Sequence, residues 1–327
     1  MAFVKRLLLK ETQMSDLFIK HVAIEISDAD KEAAIKFYSD FGLHLLMDKP
    51  QTIEAYCDGV EHPCIKLITG AAYKAFHHVQ IGASPKGLDK VRANLQQYGI
   101  NTVAAPQGCS KEGLWICDPY GLLFHIVEAC DSYKENPVSP FLINSPGHQN
   151  RLNQGALPPK SVLPDVRPRR MGHVLMFTPN VDASFEFLNH AIGLELSDRS
   201  GEGVMFTHFP GGSEHHVIAF AKSSHIGFHH ASFLVASPDE VGLGGQRMVE
   251  KGHTKGWGFG RHSIGSNFFH YVADPWGSYA EYYSDMDYIH DSELWKASNW
   301  PAEDALHSWG PEPPEDFIYN YESENIN

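Results

Sequence analysis

A chain of 327 residues is long enough for two ordinary domains, each with its own core. Its 43% hydrophobic and 20% charged content excludes a disordered polymer, and a net charge of −14 excludes a broad basic surface, so nucleic acid is not an expected partner. The N-terminal apolar run Leu7 to Leu9 is far shorter than a signal-peptide core or a membrane span, and the five cysteines (Cys57, Cys64, Cys109, Cys117, Cys130) form no C-x-x-C pair; a cytoplasmic protein with reduced thiols is expected.

The first predicted element is the strand KHVAIEI at 20–26, followed by a helical stretch that closes with KFYSDFGLHL. Next come Phe76-His77-His78-Val79 and then CDPYGLLFHIVEA at 117–129, where Asp-Pro-aromatic-Gly forms a tight turn between two strands. Residues 134–168 are rich in proline and poor in apolar runs, which marks a linker. After it the same series returns. GHVLMFT at 172–178 leads into apolar residues at helical spacing over Asp182 to His190, closing with EFLNHAIGLEL; then come Phe228-His229-His230-Ala231 and ADPWGSYAEYYSD at 273–285. His21 and His78 are 57 residues apart, as are His173 and His230, so a unit of roughly 115 residues occurs twice. Alternating stretches such as Val174-Met176-Phe177 and Ala219-Phe220 predict half-buried strands, and the repeated strand-helix-strands order predicts mixed sheets curled around a cleft. The expected division is 1–133, the linker 134–168, a second unit at 169–290 and a tail at 291–327. Trp295, Trp300 and Trp309 predict that part of this tail packs back on the second unit as a lid.

Twenty histidines are too many to read singly. Position selects three residues: His173 opens the first strand of the second unit, His230 opens a middle strand, and Glu281 lies on the last. Two neutral imidazoles and a carboxylate on one side of a metal are the donor set of non-haem Fe(II) centres with open positions, where a catechol can chelate while O2 takes a further position. In the first unit the equivalent positions hold His21, His78 and His125, a set with precedent in tris-histidine zinc sites.

The segment Gly260-Arg261-His262, then His270-Tyr271-Val272-Ala273-Asp274-Pro275-Trp276-Gly277 and Glu281, resembles the signature of the type I extradiol dioxygenases of the vicinal oxygen chelate superfamily. The likeness covers roughly residues 15–290 and is strongest from His173 to Glu281. It implies an α+β fold of two tandem domains, each made of paired βαβββ modules, and an oxidoreductase that opens a catechol-type ring with O2 in aromatic catabolism. It further implies Fe(II), with Mn(II) as the other metal of the family, on His173, His230 and Glu281, a metal-free first unit and a homo-oligomer. By the same resemblance His215 is the acid/base group on the O2 side, while His262 and Tyr271 hydrogen-bond the substrate oxygens. His216 adjoins His215, and the spacing of fifteen residues to His230 favours His215. His229 is expected to pack rather than ligate, since neighbours on a strand face opposite ways. His270 departs from the signature, which has an aliphatic residue or Phe before the tyrosine, and reads as a packing change. Trp257, Phe259, Phe268 and Phe269 cluster near His262 and suggest a pocket for an apolar ring substituent. Lyases and epimerases of the superfamily, or a metal-free ligand-sequestering module, are the competing readings; neither needs the set His215, His262 and Tyr271.

Overall fold

The computed structural model describes residues 15–133 and 143–326; the run Leu7 to Leu9 and the first part of the proline-rich linker lie outside them. The first unit begins with β1 (Leu17–Ile26), α1 (Lys31–Asp40), β2 (His44–Leu46), β3 (Thr52–Tyr56) and β4 (Ile65–Thr69). It continues with β5 (Ala75–Ala83), α2 (Pro85–Tyr98), β6 (Leu114–Cys117) and β7 (Leu123–Glu128). The second unit repeats the plan with β8 (Arg170–Thr178), α3 (Val181–Ile192), β9 (Glu195–Ser200), β10 (Val204–His208), the short β11 (Ser213–Glu214) and β12 (Ile218–Lys222). Its second half is β13 (Gly227–Leu234), α4 (Pro238–Glu250), β14 (Gly256–Arg261), β15 (Phe268–Ala273) and β16 (Tyr279–Ser284), and β17 (Tyr288–Ile289) and β18 (Ser298–Asn299) follow.

Strand order makes the duplication explicit. The first sheet runs β2-β3-β4-β1-β5-β7-β6, and the second runs β14-β15-β16-β13-β8-β12-β10-β9-β18. In each, the opening strand pairs in parallel with one neighbour (β1 with β4, β8 with β12) and antiparallel with the first strand of the next module (β5, β13). Two βαβββ modules therefore join back to back in the second unit; among the described residues the first unit has no strand equivalent to β14.

Local chemistry accounts for the repeated elements. Ser84, Asn180 and Ser237 accept hydrogen bonds from backbone amides at the starts of α2, α3 and α4, and Gly99 and Gly193 close α2 and α3 with left-handed φ values of 66° and 76°. In the two turns the Asp118 and Asp274 carboxylates each accept from two backbone amides, of Tyr120 and Leu122 and of Trp276 and Ser278, at 2.8–2.9 Å. The second-unit strands depart from expectation, since β8, β12 and β13 are buried on both faces almost throughout. Helices cover one face, and the curl of the sheet with the tail laid across it covers the other. Of the linker, 143–168 holds an isolated bridge between Ser145 and His148 and a short 3-10 turn at Lys160–Val162, and Val166 is buried beside Gly42.

The units share one interface. Phe41 stacks on Tyr282 with ring centroids 3.9 Å apart, and the Tyr282 hydroxyl donates to the Phe41 carbonyl at 2.7 Å. Lys74 is buried and pairs with Glu322 of the tail while also donating to Ser278 Oγ and the Phe228 carbonyl. Among the described residues no helix is long and apolar enough to cross a membrane, and all five cysteines are free.

Candidate metal centre

Strand register assembles the centre. His173 on β8 lies opposite Ser232 on β13, Ser232 opposite Glu281 on β16, and Glu281 opposite Tyr271 on β15, a row across four adjacent strands. His230, two residues before Ser232, falls on the same face. His173, His230 and Glu281 are all buried, and one donor atom from each lies within 4.8 Å of the others. His173 Nε2 is 3.2 Å and His230 Nε2 3.8 Å from Glu281 Oε2. Ser232 Oγ donates to Glu281 Oε2, and Asn267 Nδ2 donates to Oε1 at 3.3 Å. Among the described residues no Lys or Arg pairs with this carboxylate, although a buried carboxylate ordinarily requires a cation. Two imidazole nitrogens and a carboxylate facing one another in a buried site fit a divalent metal.

Around these ligands, His262 and Tyr271 face Glu281. His262 Nδ1 lies 2.5 Å from the Leu306 carbonyl, which can only accept, so in the neutral ring Nδ1 donates and Nε2 accepts from the Tyr271 hydroxyl at 2.9 Å. Burial, reinforced by the charge of Glu281, raises the Tyr271 phenol well above its ordinary range, and burial lowers His262.

His215, expected as the acid/base group, is not the histidine that faces the cavity. His216, not His215, lines the cavity, with its ring 4.2 Å from that of His173. His215 lies behind it and is fully buried, its Nε2 3.1 Å from Asp198 and its Nδ1 3.0 Å from His216 Nδ1. The carboxylate accepts from His215 Nε2, so His215 Nδ1 accepts from His216 Nδ1, and His216 Nε2 is the unprotonated nitrogen. Burial, followed by the neighbouring histidines His173 and His215, pushes His216 well below the ordinary histidine range.

Two further expectations change. His229 does not simply turn away from His230: a β-bulge between Phe228 and His230 breaks strand alternation and brings the two Nδ1 atoms to 2.5 Å. The aromatic cluster does not form the pocket wall. Phe269 stacks on His262 from behind and Trp257 stacks on Tyr271, while Phe259 and Phe268 pack on Trp309. A cavity of about 750 Å³ opens instead along the other half of the sheet, lined by Leu175, Val204, Phe206, Ala219 and Ala221 and roofed by tail residues Trp300, Leu306 and Phe317. His270 packs against α4 where Gly245 leaves room; a Cβ there would stand 2.3 Å from the ring.

The first unit repeats the row with different residues. His21 pairs with Gln80, Gln80 with His125, and His125 with Trp115, so Trp115 holds the place of Tyr271. Trp115 stacks on His125 at 4.0 Å, and both His125 nitrogens are engaged, with Gln80 and the Glu112 carbonyl. His21, His78 and His125 do not converge as the second-unit ligands do, whereas His77, His78 and Cys109 bring donor atoms within 4.8 Å of one another.

The Glyoxalase/Bleomycin resistance protein/Dioxygenase superfamily profile matches residues 170–282. "Metapyrocatechase 2" of Cupriavidus necator is 38% identical over 305 residues, 93% of this chain and 92% of its own length. The chain belongs to the type I extradiol dioxygenases of the vicinal oxygen chelate superfamily. Among solved structures, the Mn(II)-bound glyoxalase of Novosphingobium aromaticivorans shares the fold with a TM-score of 0.71 at 23% identity, covering 92% of this chain and 94% of that one. For 2,2',3-trihydroxybiphenyl 1,2-dioxygenase of Sphingomonas wittichii RW1 the TM-score is 0.69 at 18% identity, with 92% and 100% covered. This extradiol dioxygenase thus carries the family's two-unit architecture and a buried His/His/Glu donor set.

Proposed function

We infer that the chain cleaves a catechol-type ring next to its two hydroxyls, adding both atoms of O2 to give a hydroxymuconate-semialdehyde-type product. The observation that carries this reading is the convergence of His173, His230 and Glu281 at the head of a largely apolar cavity, beside His216, His262 and Tyr271. The proposed metal is Fe(II), with Mn(II) as the alternative, and when bound it would bring the catechol and O2 together and let electrons pass between them.

The protein's own groups supply the rest. His262 Nε2 can take a proton from an entering catechol hydroxyl, because Leu306 holds the ring's single hydrogen on Nδ1. Tyr271 Oη can donate to a substrate oxygen once it is released from His262. His216 Nε2 is the acid/base atom on the opposite side, held in that tautomer by the chain Asp198-His215. Cavity volume well beyond a bare catechol, with Ala219, Ala221, Val204 and Leu175 along its length, supports a substrate with an apolar ring substituent. The five free thiols suit the proposed cytoplasmic setting, and the family resemblance supports a homo-oligomer, which sedimentation tests.

The experiment is to mix the protein anaerobically with Fe(II) and a panel of unsubstituted, alkylated and aryl-substituted catechols, then admit air. A yellow ring-fission product with the highest kcat/KM for an apolar-substituted catechol is expected. Colourless turnover, or none with either Fe(II) or Mn(II), would remove the assignment.

A further inference from the structure

The geometry points to His229 as the residue that decides which nitrogen of His230 is free for the metal, and to the carbonyl of Phe317 in the tail as the group that decides it for His229. This rests on the metal centre proposed above. The Phe317 oxygen can only accept, so His229 Nε2, 2.7 Å away, is the donor. A neutral imidazole has one N–H, which leaves His229 Nδ1 as an acceptor. His230 Nδ1, at 2.5 Å, must then donate to it. The lone pair of His230 is thereby placed on Nε2, the atom that faces Glu281.

The first unit supplies an internal comparison. Its register also shifts at His77, and His77 Nδ1 lies 2.6 Å from His78 Nδ1, so the bulge alone produces the ring contact. What differs is the outer partner: among the described residues His77 Nε2 has no carbonyl at hydrogen-bond distance, and it stands 3.9 Å from Glu25. Among the described residues, a main-chain acceptor gives the pair a direction in the second unit and not in the first. Phe317 also seats its own ring 5.0 Å from His229, so the tail orients as well as polarises that side chain. A tail segment that contributes no ligand thus contributes to metal affinity through two hydrogen bonds in series.

The test uses the full chain, stripped of metal, and Mn(II) alone as probe, with free Mn(II) counted by electron paramagnetic resonance and thermal midpoints read with and without the ion. His229→Leu is expected to weaken Mn(II) binding by about 10- to 100-fold and to shrink the Mn(II)-induced rise in Tm. His229→Asn, whose Oδ1 can stand in for Nδ1 as acceptor, should stay within a few-fold of the parent. If the Leu variant does not fold, His229→Phe keeps the ring shape without its nitrogens and carries the same expectation. A packing role would lower the metal-free Tm and leave Mn(II) affinity unchanged in Leu or Phe variants, which overturns the inference. A parent protein that binds no Mn(II) and no Fe(II) would instead overturn the metal centre itself.

Discussion

Single residues carry the chemistry, and their roles separate by which measurement each one moves. Glu281→Gln removes the negative charge while retaining the shape, so the expected result is loss of stoichiometric metal together with loss of ring cleavage, read by metal analysis on the purified variant. Retention of parental metal content would mean that the carboxylate is not a ligand. His216→Asn is expected to keep metal and catechol affinity yet slow turnover by about 10²- to 10⁴-fold, the usual contribution of a positioned acid/base group. His215→Asn, whose Oδ1 can still accept from His216 Nδ1, should cost less than about tenfold; the reverse ranking would return the acid/base role to His215. At this scale the sequence was informative about His173, His230 and Glu281 because duplication marks their positions, although His173 and His230 are the fourth residues of β8 and β13 and do not open those strands. It was uninformative about the choice between His215 and His216. These two residues fall between β11 and β12, outside regular strand, where alternation assigns no face. His229 escaped for a related reason, since a bulge is a register event that composition does not record.

Elements set what the cavity admits, and here the tail matters most. It lies along β14 and its neighbours, with Trp257 Nε1 donating to the Pro311 carbonyl at 2.7 Å and the Arg261 amide to the Trp309 carbonyl at 2.9 Å. β18 adds to the far edge of the sheet beside β9, which brings Trp300 over the cavity. Trp295 donates to the Ser197 carbonyl at 2.8 Å and rests against His215. Truncation after Tyr288 is therefore expected to raise KM for an apolar-substituted catechol and to hasten inactivation during turnover, since it opens the site to water. Progress curves at saturating O2 would read both effects, and unchanged values would show that the tail is only a brace. Three tryptophans in an acidic segment made the packing of this tail legible. The lining of the cavity was not legible, because Leu175, Val204, Phe206, Ala219 and Ala221 come from three strands far from the signature and meet through the parallel pairing of β8 with β12 and the antiparallel pairing of β12 with β10.

Across the whole molecule, the first unit preserves the plan of the second and replaces its contents. Gln80 stands where Ser232 stands and Trp115 where Tyr271 stands, and the indole fills space that an open site would need. We propose that the first unit holds no catalytic metal. Replacing His21, His78 and His125 together should leave one metal per chain and near-normal kcat in the folded fraction. Loss of half the metal would show a second functional centre in the first unit, where His78 stands with His77 and Cys109. The buried pair of Lys74 and Glu322 bears on how the molecule is made. Its partners are separated by 248 residues in sequence, and Glu322 also receives the Phe76 and Phe228 amides. On a growing chain the strands bearing His173, His230 and Glu281 emerge well before Leu306, Phe317 and Glu322, so the ligands exist for a time with neither roof nor main-chain acceptors. Metal captured in that interval would sit in an open, exchangeable site. Docking of the last segment then acts as a latch, and the rate at which a new molecule gains tightly held metal should follow completion of the tail rather than synthesis of the ligands.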